Sequence, residues 1–107
     1  MKVSLITGAG TGIGLASALA FLKAGVAVVG VGRRPDKLGA LEKAAGAQAD
    51  RVATLAIDVT RNDAPEQAVA LAMSRFGRLD YLVNNAGVGS PKPVSYTHLT
   101  LPTILRV

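Results

Sequence analysis

Glycines at positions 8, 10, 12 and 14 punctuate the stretch Thr7-Gly8-Ala9-Gly10-Thr11-Gly12-Ile13-Gly14, which joins a short apolar run to a helical pattern. The start of a helix presents unpaired N–H groups and a partial positive charge, so a phosphate binds there readily. Glycines let the chain adopt positive φ and let an anion approach the backbone closely. The spacing is T-G-x-x-x-G-I-G rather than G-x-G-x-x-G. Two further groups suit an anionic, hydrogen-bonding ligand. Arg33-Arg34 follows a second apolar run, and a guanidinium can clamp a phosphate with two parallel donors. Asp58 and Asn84-Asn85-Ala86-Gly87 follow the third and fourth runs. Taken singly, each has a plainer reading: a tight turn, a solvated loop arginine, a turn-capping carboxylate.

The elements that must position these residues alternate along the chain. Val3–Ile6 reads as a strand ending at the glycine turn, and Leu15, Leu19 and Leu22 recur at helical spacing up to Lys23-Ala24-Gly25, a basic last turn closed by glycine. Val26–Val31 is a second strand. Pro35 opens a helix with Leu38 and Leu41 on one face, ending near Gly46. Val52–Ile57 is the third strand. Asp63-Ala64-Pro65-Glu66 predicts a capping box at the start of a third helix. Val69, Ala72 and Phe76 form its expected buried stripe, and Gly77 closes it. Leu79–Val83 is the fourth strand. Short β-α-β connections of this kind give a parallel sheet with helices on its faces, half of a doubly wound α/β fold. The strand ends carrying the glycine turn, Arg33, Asp58 and Asn85 then share one edge.

In that order and context the chain resembles the ordinary, non-extended branch of the short-chain dehydrogenase/reductase family. The resemblance rests on the T-G-x-x-x-G-I-G turn, the basic residue after the second strand, Asp58-Val59 and Asn84-Asn85-Ala86-Gly87. It covers residues 1 to about 93, and three residues separate Gly8 from Gly12, unlike the shorter gap of the extended branch. Its look is that of the 3-oxoacyl-carrier-protein reductases and related alcohol dehydrogenases.

The resemblance implies a Rossmann-like domain, of which residues 1–93 are the N-terminal half, β-α-β-α-β-α-β. By similarity, Gly8, Gly10, Thr11, Gly12, Ile13 and Gly14 wrap a pyrophosphate and the adenosine ribose. Asp58 accepts from the adenine amino group, and Val59 presents its backbone to the ring. Asn85, Ala86 and Gly87 line the nicotinamide-side ribose, while Asn84 ties strands together. Cofactor choice rests on the second strand's end, where Asp or Glu holds the 2′-hydroxyl of NAD and an arginine accommodates the 2′-phosphate of NADP. Gly32 stands at the carboxylate position and Arg33 follows it, which favours NADP(H); NAD(H) stays open. The implied activity is carbonyl reduction or secondary-alcohol oxidation by hydride transfer, on a small-molecule substrate, in a homo-oligomeric parent.

The residues that do this chemistry in the family, a Ser and a Tyr-x-x-x-Lys pair, cannot be assigned. Tyr96 is followed at the fourth position by Thr100, and Ser95 and His98 find no third partner. The expectation is therefore a chain inactive by itself, and a non-catalytic NADP(H)-binding sensor or binding module stands as the alternative. Val94–Val107 has neither helical period nor helix start, with Pro102 as a breaker, and resembles a translated sequencing-library adapter. On that resemblance residues 94–107 are a non-native tail, and the half-sheet leaves apolar faces and a strand edge uncovered, so the chain alone is expected to be poorly soluble or only partly folded.

Composition narrows the remaining classes. Half of the 107 residues are hydrophobic and 18% are charged, a globular profile. The absence of cysteine excludes disulfides and thiolate metal sites. The net charge is +5, but the basic residues are scattered without interleaved aromatics, which argues against nucleic acid as a partner. No apolar run approaches a membrane span, and the start carries no signal-peptide pattern, so the expected location is cytoplasmic.

Overall fold

Valine-rich runs with few charges suit strands covered on both faces, and that is where the chain puts them. The computed structural model describes residues 1–10, 12–58 and 60–85, together with the backbone of Thr103–Arg106. The elements run β1 (Val3–Thr7), α1 (Gly12–Lys23), β2 (Ala27–Gly32), α2 (Pro35–Ala45), a 3-10 turn (Gly46–Arg51), β3 (Val52–Ala56), α3 (Ala64–Phe76), β4 (Tyr81–Asn84) and β5 (Thr103–Arg106). The sheet order is β3-β2-β1-β4-β5. β1 pairs in parallel with β2 (Val3 opposite Ala27) and with β4 (Ser4 opposite Tyr81), and β2 pairs in parallel with β3. The expected β-α-β-α-β-α-β order and doubly wound layout are therefore present.

Strand alternation sends side chains into two cores. On one face Ile6, Val28, Val52 and Val83 meet Ala18 and Leu22 of α1 and Leu38, Leu41 and Ala45 of α2. On the other, Val3, Leu5, Val29 and Val31 meet Ala64, Ala68 and Ala72 of α3. Small residues let the helices sit close. Gly14, Ala18 and Leu22 form the buried line of α1, and at Gly30 a Cβ would come within 2.9 Å of the Leu41 side chain.

Three expectations change. Val69 is 42% exposed, and the buried stripe of α3 is Ala64, Ala68 and Ala72, spaced by four, with Leu71 and Phe76 packed beside it. The capping box does not form. Asp63 precedes the helix in an α-region conformation (φ −92°, ψ −1°) without a side-chain cap. Its carboxylate accepts instead from Arg61 Nε and Nη2 (3.0 and 2.9 Å) and from Gln67 Nε2 (2.7 Å). Charged and amide donors two before and four after Asp63 outcompete the helix's own N–H groups. The sheet also has a fifth strand beyond the expected four: Thr103–Arg106 lies antiparallel on β4, Asn84 opposite Thr103. The run Thr103-Ile104-Leu105, after Pro102, has the β-branched and aliphatic character that a strand needs.

Candidate functional site

Every sequence-predicted site residue that the structure describes lies at the carboxyl edge of the parallel strands, and the order reverses beside β1, between β2 and β4. This is where open α/β sheets bind ligands. Gly8 (φ 65°) ends β1 and Gly12 (φ 56°) opens α1, both in the left-handed region that favours glycine. The turn is pinned to β2, with Gly8 N donating to Val31 O at 2.7 Å. Gly14 is buried against the turn: a Cβ there would strike the Gly8 carbonyl oxygen and reach 2.8 Å from Asn85 Nδ2. Around Gly12, by contrast, nothing lies within 4 Å of an added Cβ, and Ile13 is 41% exposed. The turn therefore presents backbone to an open space, the geometry of a phosphate cradle.

From the far side, β4 closes the crevice through hydrogen bonds. Asn85 N donates to Thr7 Oγ1 (2.9 Å), Thr7 Oγ1 donates to Asn84 Oδ1 (3.2 Å), and Asn85 Nδ2 donates to Gly8 O (3.4 Å). Both asparagines thus tie β4 to the end of β1, as expected for Asn84. Thr11, Val59, Ala86 and Gly87 lie outside the described residues.

Arg33 leaves the end of β2 with its side chain 70% exposed, its Nη1 4.0 Å from Asp58 Oδ2. Asp58 Oδ1 caps its own turn, accepting from Thr60 N (2.9 Å) and Thr60 Oγ1 (2.7 Å). Thr60's hydroxyl and N–H, with Arg33 adding to them, hold the Asp58 carboxyl below the usual carboxylate range. Asp58 Oδ1 thus caps the turn, while Oδ2 lies nearest Arg33.

A pocket of about 100 Å³ lies between the glycine turn and the start of α2, lined by Gly8, Gly10, Gly32, Arg33, Arg34, Lys37 and Leu38. Three cations and three glycines line it beside Leu38, a surrounding of positive charge and accessible backbone that suits an anion. Gly32 leaves its β2 end open, because an added Cβ would meet only Leu38, at 3.6 Å. Lys37 was not among the residues singled out from the sequence. It lies in the first turn of α2, exposed, next in the chain to the buried Leu38. These donors and the open cradle fit a nicotinamide–adenine dinucleotide. Among the described residues, no helix is long and apolar enough to cross a membrane.

Residues 2–104 match the short chain dehydrogenase family, running past the span that the motifs cover. The chain is 36% identical to serine 3-dehydrogenase of Agrobacterium fabrum, over 95% of this chain and 48% of that protein. It is 38% identical to 3-oxoacyl-[acyl-carrier-protein] reductase of Thermotoga maritima, over 81% of this chain and 35% of that one. In structure it resembles L-sorbose reductase of Gluconobacter frateurii, solved with NADPH and L-sorbose (TM-score 0.76, 39% identity, 87% of this chain and 36% of that chain). The chain spans half or less of each of these proteins. With the cradle, the β1–β4 crevice and this match together, the chain belongs to the short-chain dehydrogenase family.

Proposed function

We propose that this chain is the cofactor-binding part of an NADP(H)-dependent oxidoreductase. In the whole protein, hydride would pass between the nicotinamide ring and a small carbonyl or secondary-alcohol substrate. The observation that carries this reading is the end of β2: Gly32 where a ribose-binding carboxylate would stand, with Arg33, Arg34 and Lys37 around the pocket beyond it. A carboxylate at position 32 would repel a 2′-phosphate; a glycine followed by guanidinium donors accommodates one. The NADPH bound in the sorbose reductase structure supports the same choice.

In this reading Gly8, Gly10, Thr11, Gly12, Ile13 and Gly14 cradle the pyrophosphate and adenosine ribose, and Arg33 holds the 2′-phosphate. Asp58 and Val59 meet the adenine, with the Oδ2 that Thr60 leaves free as the acceptor. Asn85, Ala86 and Gly87 line the nicotinamide-side ribose. When bound, the cofactor supplies the hydride, and this chain's residues fix its position and register. In this reading residues 1–93 are part of the cofactor domain and 94–107 a non-native tail; a genomic read across Pro93 tests that boundary.

Calorimetric titration of the chain with NADP⁺ and NAD⁺ tests the assignment. NADP⁺ should bind more tightly, and Arg33→Ala should weaken it about tenfold while leaving NAD⁺ unchanged, the size expected for a charge-assisted contact. Gly32→Asp should reverse the preference. Equal affinity for the two nucleotides would refute the NADP assignment, and binding of neither would refute the cofactor reading.

A further inference from the structure

Of the three cations around the β2–α2 pocket, two already face a carboxylate. Arg33 Nη1 lies 4.0 Å from Asp58 Oδ2, and Arg34 Nη2 lies 3.5 Å from Asp36 Oδ2. Lys37 lines the same pocket, is exposed, and has no ion pair among the described residues. Its root is fixed by packing. A Cβ on Gly10 would lie 2.7 Å from both the carbonyl carbon and the Cβ of Lys37, so the glycine turn rests directly on the first turn of α2. Leu38, next in the chain, is buried in the core beneath. The backbone under Lys37 is therefore held by both its neighbours, and only the flexible four-carbon stem and its ammonium remain to be ordered by a ligand.

We propose that Lys37 is a second cation on the cofactor's 2′-phosphate, paired with Arg33 in the same pocket, and a determinant of NADP over NAD. This rests on the NADP reading above. An arginine shared with Asp58 neutralises a dianionic phosphate only in part. An ammonium without a carboxylate partner, lining the same pocket, supplies the remaining charge. Gly10 acts through Lys37: its missing side chain lets α2 come close enough for that stem to reach the pocket.

The test uses the 107-residue chain with 2′,5′-ADP and 5′-AMP as probes, which differ only in the 2′-phosphate. Lys37→Met keeps the stem and removes the charge. It should weaken 2′,5′-ADP about tenfold, leave 5′-AMP within about twofold, and leave the circular dichroism melt unchanged, while Lys37→Arg should restore most of the loss. The proposal is overturned if Lys37→Met binds 2′,5′-ADP like the unsubstituted chain while Arg33→Ala loses it. It is equally overturned if Lys37→Met weakens both probes alike. If the unsubstituted chain does not favour 2′,5′-ADP over 5′-AMP, the NADP reading itself falls, and this one with it.

Discussion

Gly14 and Gly12 stand two residues apart in the same turn, yet the structure assigns them opposite physical roles, and alanine at each separates them. At Gly12 the backbone has φ 56° and an added Cβ meets nothing within 4 Å. The only cost is the left-handed conformation, about 1 kcal/mol for an L-residue. In a chain of this size that lowers Tm by about 4–8 °C. At Gly14 the Cβ would run into the Gly8 carbonyl, with Gly8's carbonyl carbon at 2.7 Å and Asn85 Nδ2 at 2.8 Å, where ordinary contact begins at 3.4 Å. Two of these three atoms are backbone, so no rotamer relieves the clash, and the first turn of α1 must retreat from β1 by more than an ångström. Overpacking of this kind costs about 1–3 kcal/mol. It also strains the Asn85–Gly8 bond that closes the crevice. Gly14→Ala should therefore lower Tm by more than Gly12→Ala and weaken NADP⁺ at least about tenfold, since the cradle's N–H groups move with the helix. Thermal melts followed by circular dichroism, with calorimetric titration of each variant, make the comparison. A Gly14→Ala chain that melts and binds like the unsubstituted one would refute the packing of α1 on the Gly8 carbonyl.

Two more outcomes follow from the packing and the charges. Val69→Ala should change stability by no more than about 0.5 kcal/mol, as exposed sites do, whereas Ala72→Val should cost about 1–3 kcal/mol by overfilling the α3–sheet contact; equal losses in chemical denaturation would return Val69 to the buried stripe. Asp80 accepts from Arg78 (2.7 and 2.9 Å) and from Val3 N (2.8 Å), and Arg78 first, then Val3, hold its carboxyl below its ordinary 3.8. A lowered folded value means that stability is fully present above about pH 4 and is lost as pH falls through the folded value. Asp80→Asn should be less stable at pH 7 yet lose less on acidification below pH 4, and an unchanged acid slope in pH-dependent denaturation would count against the clamp.

Much of the site was legible because a parallel sheet puts all its carboxyl ends on one edge. Once the strands were placed, Gly8, Arg33, Asp58 and Asn85 had to be neighbours, whatever the details of packing. What stayed hidden depends on competition among side chains. Asp63-Ala64-Pro65-Glu66 has the letters of a capping box, but Arg61 and Gln67 reach the carboxylate first. Val69 looks more apolar than Ala68, yet the face of α3 is set by which residues are small enough to lie against the sheet. Asp58-Val59-Thr60 did contain its signal, since an Asp two before a Thr favours the turn that occupies Oδ1. Lys37 required knowing that Gly10 brings α2 down onto the turn. That is a three-dimensional fact with no periodicity.

The two ends of the sheet also divide the work. At the amino end, Asp80 bonds Val3 N and Arg78, Ser4 Oγ donates to Ala27 O, and Lys2 lies over the Tyr81 ring. Their partners lie within the fold, and they lock β1 to β2 and β4. At the carboxyl end, the positive-φ glycines, Lys37 and the Oδ2 of Asp58 keep capacity that the fold leaves unused or only loosely engaged. The amino end holds the strands in register, and the open end carries the groups on which the proposed cofactor reading draws. If this division is right, substitutions at Asp80 should act on melting with little change in the NADP⁺-to-NAD⁺ ratio, and substitutions at Lys37 should do the reverse. A ratio that shifted with Asp80→Asn would mean that the two ends are coupled through β1.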